Sequence, residues 1–126
     1  MSIQAISTPL APAPAGPYSQ AVVANGMVFT AGFGPQAPAT GQVPEGIEAQ
    51  TDQLMRNLQV VLEQAGSGWD RVVKATVHLQ ELHRDYAPFN KVYEKYVSPP
   101  HPVRTTVGSD LANILVEIDV VAVVED

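Results

Sequence analysis

The sequence predicts an α+β fold, with two helices laid on one face of a β-sheet, and three observations carry that reading. Asn25-Gly26 separates two short apolar runs, Ala21 to Ala24 and Met27 to Ala31. Asn-Gly supplies the positive φ that both central positions of a type I′ turn need, so this segment reads as a β-hairpin. From Ile47 to Ala65, Ile47, Thr51, Leu54, Met55, Leu58, Val61, Leu62 and Ala65 recur at three- and four-residue intervals, with Pro44 and Glu45 near the start and Gly66 just past the end. That spacing predicts a helix with one face on a sheet. "RVVKATVHLQ" alternates, with Val73, Ala75, Val77 and Leu79 on one side and Lys74, Thr76 and His78 on the other. A strand with one face in the core has that pattern.

The remaining elements follow in order. "TPLAPAPAG", Thr8 to Gly16, cannot be helical because its prolines restrict the chain to extended conformations. It is either a flexible arm or an ordered segment fixed against a neighbour. Phe33 to Pro44 holds three prolines and two glycines and reads as loop. A second helix is predicted from about Tyr86 to Val97, on the spacing of Phe89, Val92, Tyr93 and Tyr96, and Pro99-Pro100 ends it. Two strands close the chain, Val103 to Val107 and Ile114 to Val124. In the last, Ile114, Val116, Ile118, Val120 and Ala122 can face the helices, while Leu115, Val121 and Val123 point the other way. Both sides of that strand are apolar. A chain this short has no third layer to cover the second side, which predicts a homo-oligomer.

Composition excludes several functions. The 126 residues fit one domain, 1–126, with a single core. Thirteen acidic against seven basic residues give a formal charge of -6, and the Lys and Arg are scattered, which disfavours nucleic acid as a partner. With no cysteine there is no disulfide framework, thiolate metal site or cysteine nucleophile. The start of the chain lacks the pattern of a signal peptide, and no run approaches the roughly 18 apolar residues of a membrane span. No membrane is implied, and the expected location is cytoplasmic.

The candidate chemistry centres on "HPVRTTV", His101 to Val107. Strand alternation, with Val103, Thr105 and Val107 assigned to the helix side, sends Arg104 and Thr106 to the other. The same rule sends Glu117 and Asp119 to that other face. A covered arginine needs an acceptor, because an unpaired buried charge costs several kcal/mol. Two readings compete: Arg104 and Glu117 form an ion pair at a subunit interface, or the guanidinium takes a ligand carboxylate while Glu117 holds a water or a proton. Other candidates are weaker. His78, His83 and His101 lack metal-ligand spacing, so no metal is expected. Ser19 has no nucleophile-elbow context, and Gly32 to Gly34 precede Pro35 instead of a phosphate-binding helix, although these glycines can let a backbone N–H approach a ligand. Lys74 on a sheet face is usually solvated or ion-paired.

Several segments together resemble the Rid family, the reactive intermediate deaminases also called the YjgF family. They are "GPYSQA" (16–21), "MVFTAG" (27–32), "TGQVP" (40–44), "QTDQLMRNLQVVLEQAG" (50–66), "VVKATVHL" (72–79), "FNKVYEKY" (89–96), "PVRTTV" (102–107) and "VEIDVVAV" (116–123). The resemblance implies a chorismate-mutase-like fold, a mixed six-stranded sheet with two helices on one face, assembled as a homotrimeric barrel with sites in the clefts between subunits. It places the strand bearing Lys74 between the last two strands, so Arg104 and Glu117 would share a face without pairing directly. It further implies hydrolysis of 2-imino acids to 2-keto acids and ammonia with no cofactor. By similarity Arg104 would clamp the substrate carboxylate, Glu117 would position the attacking water and Tyr18 would wall the cleft, and the family's asparagine falls on Asn90.

This chain departs from the family pattern in ways that bear on substrate. "AGF", Ala31 to Phe33, replaces the "SGQ" common in archetypal deaminases, losing a hydroxyl and an amide and adding a ring. Thr106 stands where some members have cysteine, and the loop from Gly108 to Asn113 lacks a proline often seen there. Gly32, Phe33, Asn90 and Thr106 are therefore the expected substrate-binding positions beside Arg104, with an altered side-chain preference. The alternative from another class is a trimeric binding or regulatory protein that captures small carboxylates such as 2-keto acids without turnover. A deaminase acting on a larger enamine, such as an aminomuconate, is a third reading.

Overall fold

The computed structural model describes residues 2–125. Six strands form one sheet: β1 (Gln4–Ile6), β2 (Ala21–Ala24), β3 (Met27–Thr30), β4 (Val72–Leu79), β5 (Val103–Gly108) and β6 (Val116–Val123). Their spatial order is β1-β2-β3-β6-β4-β5, antiparallel throughout except for the parallel β4–β5 pair, so the sheet is mixed. Helices α1 (Ile47–Gln64) and α2 (Leu82–Tyr93) pack against each other and against one face of this sheet. The α+β reading holds, and β4 does lie between β5 and β6. No helix among the described residues is long and apolar enough to cross a membrane.

The hairpin forms as its turn residues dictate, with φ of 54° at Asn25 and 75° at Gly26. Leu54, Met55, Leu58, Val61 and Leu62 of α1 are fully buried, and they meet Val116, Ile118, Val120 and Ala122 of β6 in one core cluster. The indole N–H of Trp69, in the short 3-10 turn Trp69–Arg71, donates to the Met55 carbonyl at 2.9 Å and ties the start of β4 to α1. On β6, Val121 is half-buried and Val123 exposed on the far side, so the strand has the two apolar faces expected of it.

Three expectations need correction. Val73 is not in the core: the β4–β6 register shifts between Val72 and Lys74, a bulge that puts Val72 inward and leaves Val73 exposed. Helix α2 begins at Leu82, a turn before Tyr86, its first turn closed by the Asp85 N–H donating to the Glu81 carbonyl at 2.9 Å, and the buried Asp85 carboxylate accepts from Arg84 Nε at 2.8 Å and Nη2 at 3.0 Å.

The third concerns Arg104. In the β4–β5 ladder Arg104 pairs with Ala75 and Thr106 with Val77, both fully buried beneath the helices. Arg104 and Thr106 therefore lie on the helix face, while Val103, Thr105 and Val107 share the opposite face with Glu117 and Asp119. The shared face of Arg104 and Glu117 is thus overturned. Assigning the β-branched residues to the helix side failed because β5 is an edge strand whose apolar side chains lie on the far face.

The proline-rich segment is ordered. Gln20 is buried, its Oε1 accepting the Thr8 N–H at 2.7 Å and its Nε2 donating to the carbonyls of Thr8 at 3.0 Å and Pro12 at 2.9 Å. One side chain thereby straps residues 8–12 to the start of β2. Gln20→Ala should lower unfolding free energy by about 2–3 kcal/mol, since it leaves a buried N–H and two carbonyls without partners. A urea titration measures that loss, and hydrogen exchange should show the Thr8 amide losing protection first.

Candidate functional site

Two separate cavities hold the residues in question, one on each side of the sheet's β5–β4–β6 region. The first, of about 330 Å³, is bounded by the strap, by Tyr18, by the segment after β3 and by Ile114 and Glu117. Its geometry is set by backbone pairing. Phe33 forms an antiparallel bridge with Ile118, its N–H donating to the Ile118 carbonyl at 2.8 Å and its carbonyl accepting the Ile118 N–H at 3.1 Å. That bridge brings Gly32 against Glu117, so closely that a Cβ on Gly32 would lie 2.7 Å from Glu117 Oε2. Only a residue without a side chain leaves the carboxylate where it is. Asn57 of α1 fixes the loop beyond, its Nδ2 donating to the carbonyls of Gly34 at 3.1 Å and Gln36 at 2.9 Å. Tyr18 is half exposed, and its hydroxyl accepts the Ala15 N–H at 3.0 Å.

The second cavity, of about 270 Å³, lies on the helix face of the edge strand and includes Arg104, Asn90, Tyr93 and His101. Arg104 sits among three rings of α2, its guanidinium carbon 5.7 Å from the Tyr86 ring centroid, 5.4 Å from Phe89 and 4.9 Å from Tyr93. Its Nη2 donates to the Tyr86 hydroxyl at 3.3 Å. Each such cation–π contact stabilises by about 0.5–1 kcal/mol, more where water is excluded. The rings hold the charge in place without neutralising it. Among the described residues neither Arg104 nor Glu117 takes part in an ion pair.

The sequence-predicted residues divide accordingly. Tyr18, Gly32, Phe33 and Glu117 meet at the first cavity and Arg104 with Asn90 at the second, while Thr106 borders neither. Phe33 lines the first cavity from a packed position, its side chain belonging to the core cluster. Of the "AGF" segment, Ala31, Gly32 and Phe33 all border this cavity. Sequence reasoning missed the aromatic cage, although the spacing of Tyr86, Phe89 and Tyr93 marks one helical face. It also missed Ile114 and the strap as cavity walls.

The local electrostatics sharpen the picture. Burial pushes the Tyr93 phenol up, and the positive charge of Arg104 only partly offsets this. Its buried hydroxyl has no hydrogen-bond partner. On the far face, burial raises the Asp119 carboxyl while His78 and Lys74 pull it down, and His78 Nδ1 lies 2.7 Å from Ser109 Oγ. Among the described residues no three His, Cys, Asp or Glu side chains gather as a metal cluster.

An edge strand bearing a guanidinium with no acidic partner among the described residues, and a carboxylate seated against a glycine on the other face, mark the two sides of a small α+β fold. The chain belongs to the Endoribonuclease L-PSP family, whose profile matches residues 8–124. A RutC family protein of Synechocystis is 44% identical over 128 residues, covering 98% of both chains. The chloroplastic Reactive Intermediate Deaminase A of Arabidopsis thaliana is 39% identical over 122 residues, covering 94% of this chain and 65% of the relative. The crystal structure of Escherichia coli TdcF with bound serine superposes with a TM-score of 0.90 at 31% identity, covering 97% of this chain and 99% of that one.

Two substitutions test this geometry. Gly32→Ala should change stability by less than about 1 kcal/mol, since only the mobile end of Glu117 must yield, yet a crystal structure should show that carboxylate rotated off residue 32. Tyr93→Phe removes an unsatisfied buried hydroxyl and keeps the ring over Arg104. It should raise stability by about 1 kcal/mol, read as a Tm increase of roughly 3–5 °C.

Proposed function

We propose that the protein hydrolyses 2-imino acids to 2-keto acids and ammonia, in clefts formed where copies of the chain meet. The observation that carries this reading is Arg104: a guanidinium held open by aromatic rings, with no acidic partner among the described residues, bordering a cavity. A planar fork in that setting suits a carboxylate, which it can take through two parallel hydrogen bonds.

Within one chain Arg104 and Glu117 lie on opposite sheet faces, so a single copy does not offer both to one small substrate. Juxtaposed copies do. The far face supports such an arrangement, because Phe29, Val73, Val103, Val107 and Val123 are all exposed there or at its rim. A cyclic homotrimer would cover this face and set the Arg104 edge of one copy against the Tyr18–Glu117 cavity of the next.

In that cleft the chemistry balances simply. The substrate, R–C(=NH2⁺)–COO⁻, is already electrophilic, and Arg104 holds its carboxylate. Glu117 takes a proton from water as the oxygen adds to the imine carbon, giving a carbinolamine. That proton passes to nitrogen, the C–N bond breaks with its electron pair leaving on ammonia, and loss of the hydroxyl proton yields the keto acid and ammonium. No redox step occurs, and orientation with one proton carrier supplies much of the acceleration. The similarity to a reactive intermediate deaminase supports this reading, and the serine in TdcF accords with a site for small amino-acid-like molecules. The net charge of -6 weighs against RNA as substrate despite the family's description.

The test is direct. A pyridoxal-phosphate-dependent dehydratase generates 2-iminobutanoate or 2-iminopropanoate, and keto-acid release is followed with and without the protein. The wild type should accelerate release, and Arg104→Ala should lower kcat/KM by about 100-fold, as expected for loss of a charge-assisted pair. No acceleration over buffer, with keto acids still raising Tm, would instead identify a carboxylate-binding protein.

A further inference from the structure

The walls of the Glu117 cavity speak to which imino acids fit, an inference that rests on the hydrolysis reading and narrows it. Three of the walls are apolar: the strap at Pro12, Ala13 and Pro14, the methyl of Ala31, and Ile114. Of the three uncharged polar side chains that border it, Tyr18, Gln20 and Gln36, two are committed. Gln20 spends its amide on Thr8 and Pro12, and the Tyr18 hydroxyl is held by the Ala15 N–H. Glu117 is the one charged side chain among the lining residues, and no cation stands there.

We infer that this cavity receives the substrate's side chain and selects imino acids with branched aliphatic or aromatic side chains over small and over acidic ones. The carboxylate goes to Arg104, outside this cavity, so its roughly 330 Å³ remains for what hangs from the imine carbon. That volume is at the small end of ligand sites, enough for an isobutyl or benzyl group and too small for a nucleotide. A larger apolar side chain releases more water from the strap and Ile114 and so binds the transition state better. A second carboxylate would enter beside Glu117 with no cation to receive it, losing its hydration and meeting a like charge. Ala31 is central to this preference: a hydroxyl there would give the wall a hydrogen-bonding group, and a methyl does not.

The experiment presents the purified protein with a panel of imino acids made in place by amino-acid oxidases from leucine, phenylalanine, alanine and aspartate, and reads keto-acid release against a competing imine trap. The leucine- and phenylalanine-derived compounds should show kcat/KM at least about 10-fold above the alanine-derived one and about 100-fold above the aspartate-derived one, within the range that pocket contacts deliver. Ala31→Leu, which fills the cavity, should shrink the ratio of phenylalanine- to alanine-derived turnover by about 10-fold. Equal or better turnover of the alanine- or aspartate-derived compound by the wild type overturns the inference while leaving imine hydrolysis standing. Failure to accelerate any member of the panel overturns both.

Discussion

The register of β4 between β5 and β6 is the constraint on which the rest depends. Because strand side chains alternate, that register decides the face of every residue on three strands at once, and a slip of one position would exchange all of them. It is held by Ala75, Val77 and Leu79, all fully buried under the helices, and by the bulge at Val73 that resets the β4–β6 ladder at its start. Arg104, paired with Ala75, is delivered to the rings of α2. Glu117, paired with His78, is delivered to the opposite face and to Gly32. The separation of the two charged groups follows from the ladder and not from any loop.

Around that frame, buried side-chain amides do what disulfides or ion pairs do elsewhere. Gln20 holds the strap, Asn57 holds the loop after Phe33, and Gln50 joins two distant segments by donating to the Pro44 carbonyl at 3.0 Å and accepting the Leu115 N–H at 2.8 Å. Gln80 accepts the Leu111 N–H at 2.6 Å at the mouth of the loop between β5 and β6. An amide offers donors and an acceptor on one short stem, so Gln20, Asn57 and Gln50 each satisfy two or more backbone groups that a buried loop would otherwise strand. These clamps carry no charge and do not titrate. Two of them, Gln20 and Asn57, directly shape the cavity over Glu117, which ties the packing of the fold to the dimensions of the site.

Much of the fold was legible because its signals are local. The Asn-Gly hairpin, the α1 periodicity and the two apolar sides of β6 are each written within a short window. β1 was not legible, since three residues at a sheet edge carry no pattern, and the bulge at Val73 was hidden because a single inserted residue leaves the apolar run Val72-Val73 intact. The site was legible in its residues more than in its arrangement. Parity placed Arg104 on the wrong face because the rule equates apolar with helix-facing, and β5 reverses that at an edge where the far face is apolar. The aromatic rings that cage Arg104 read as core for the same reason: a ring that packs and a ring that holds a cation occupy the same helical stripe.

The two unpaired charges now have a common logic. An isolated guanidinium and an isolated carboxylate at partly buried positions would each be stabilised by an internal counter-ion, and among the described residues each lacks one. In the proposed cleft a 2-imino acid supplies both complements at once: its carboxylate faces Arg104 and its protonated imine faces Glu117. The keto-acid product retains only the first of these. Hydrolysis therefore removes the contact with Glu117 in the act of forming product and leaves an uncharged carbonyl beside a carboxylate. Such a cleft holds the substrate by two opposite charges and the product by one, so its charge pattern favours capture before the reaction and release after it.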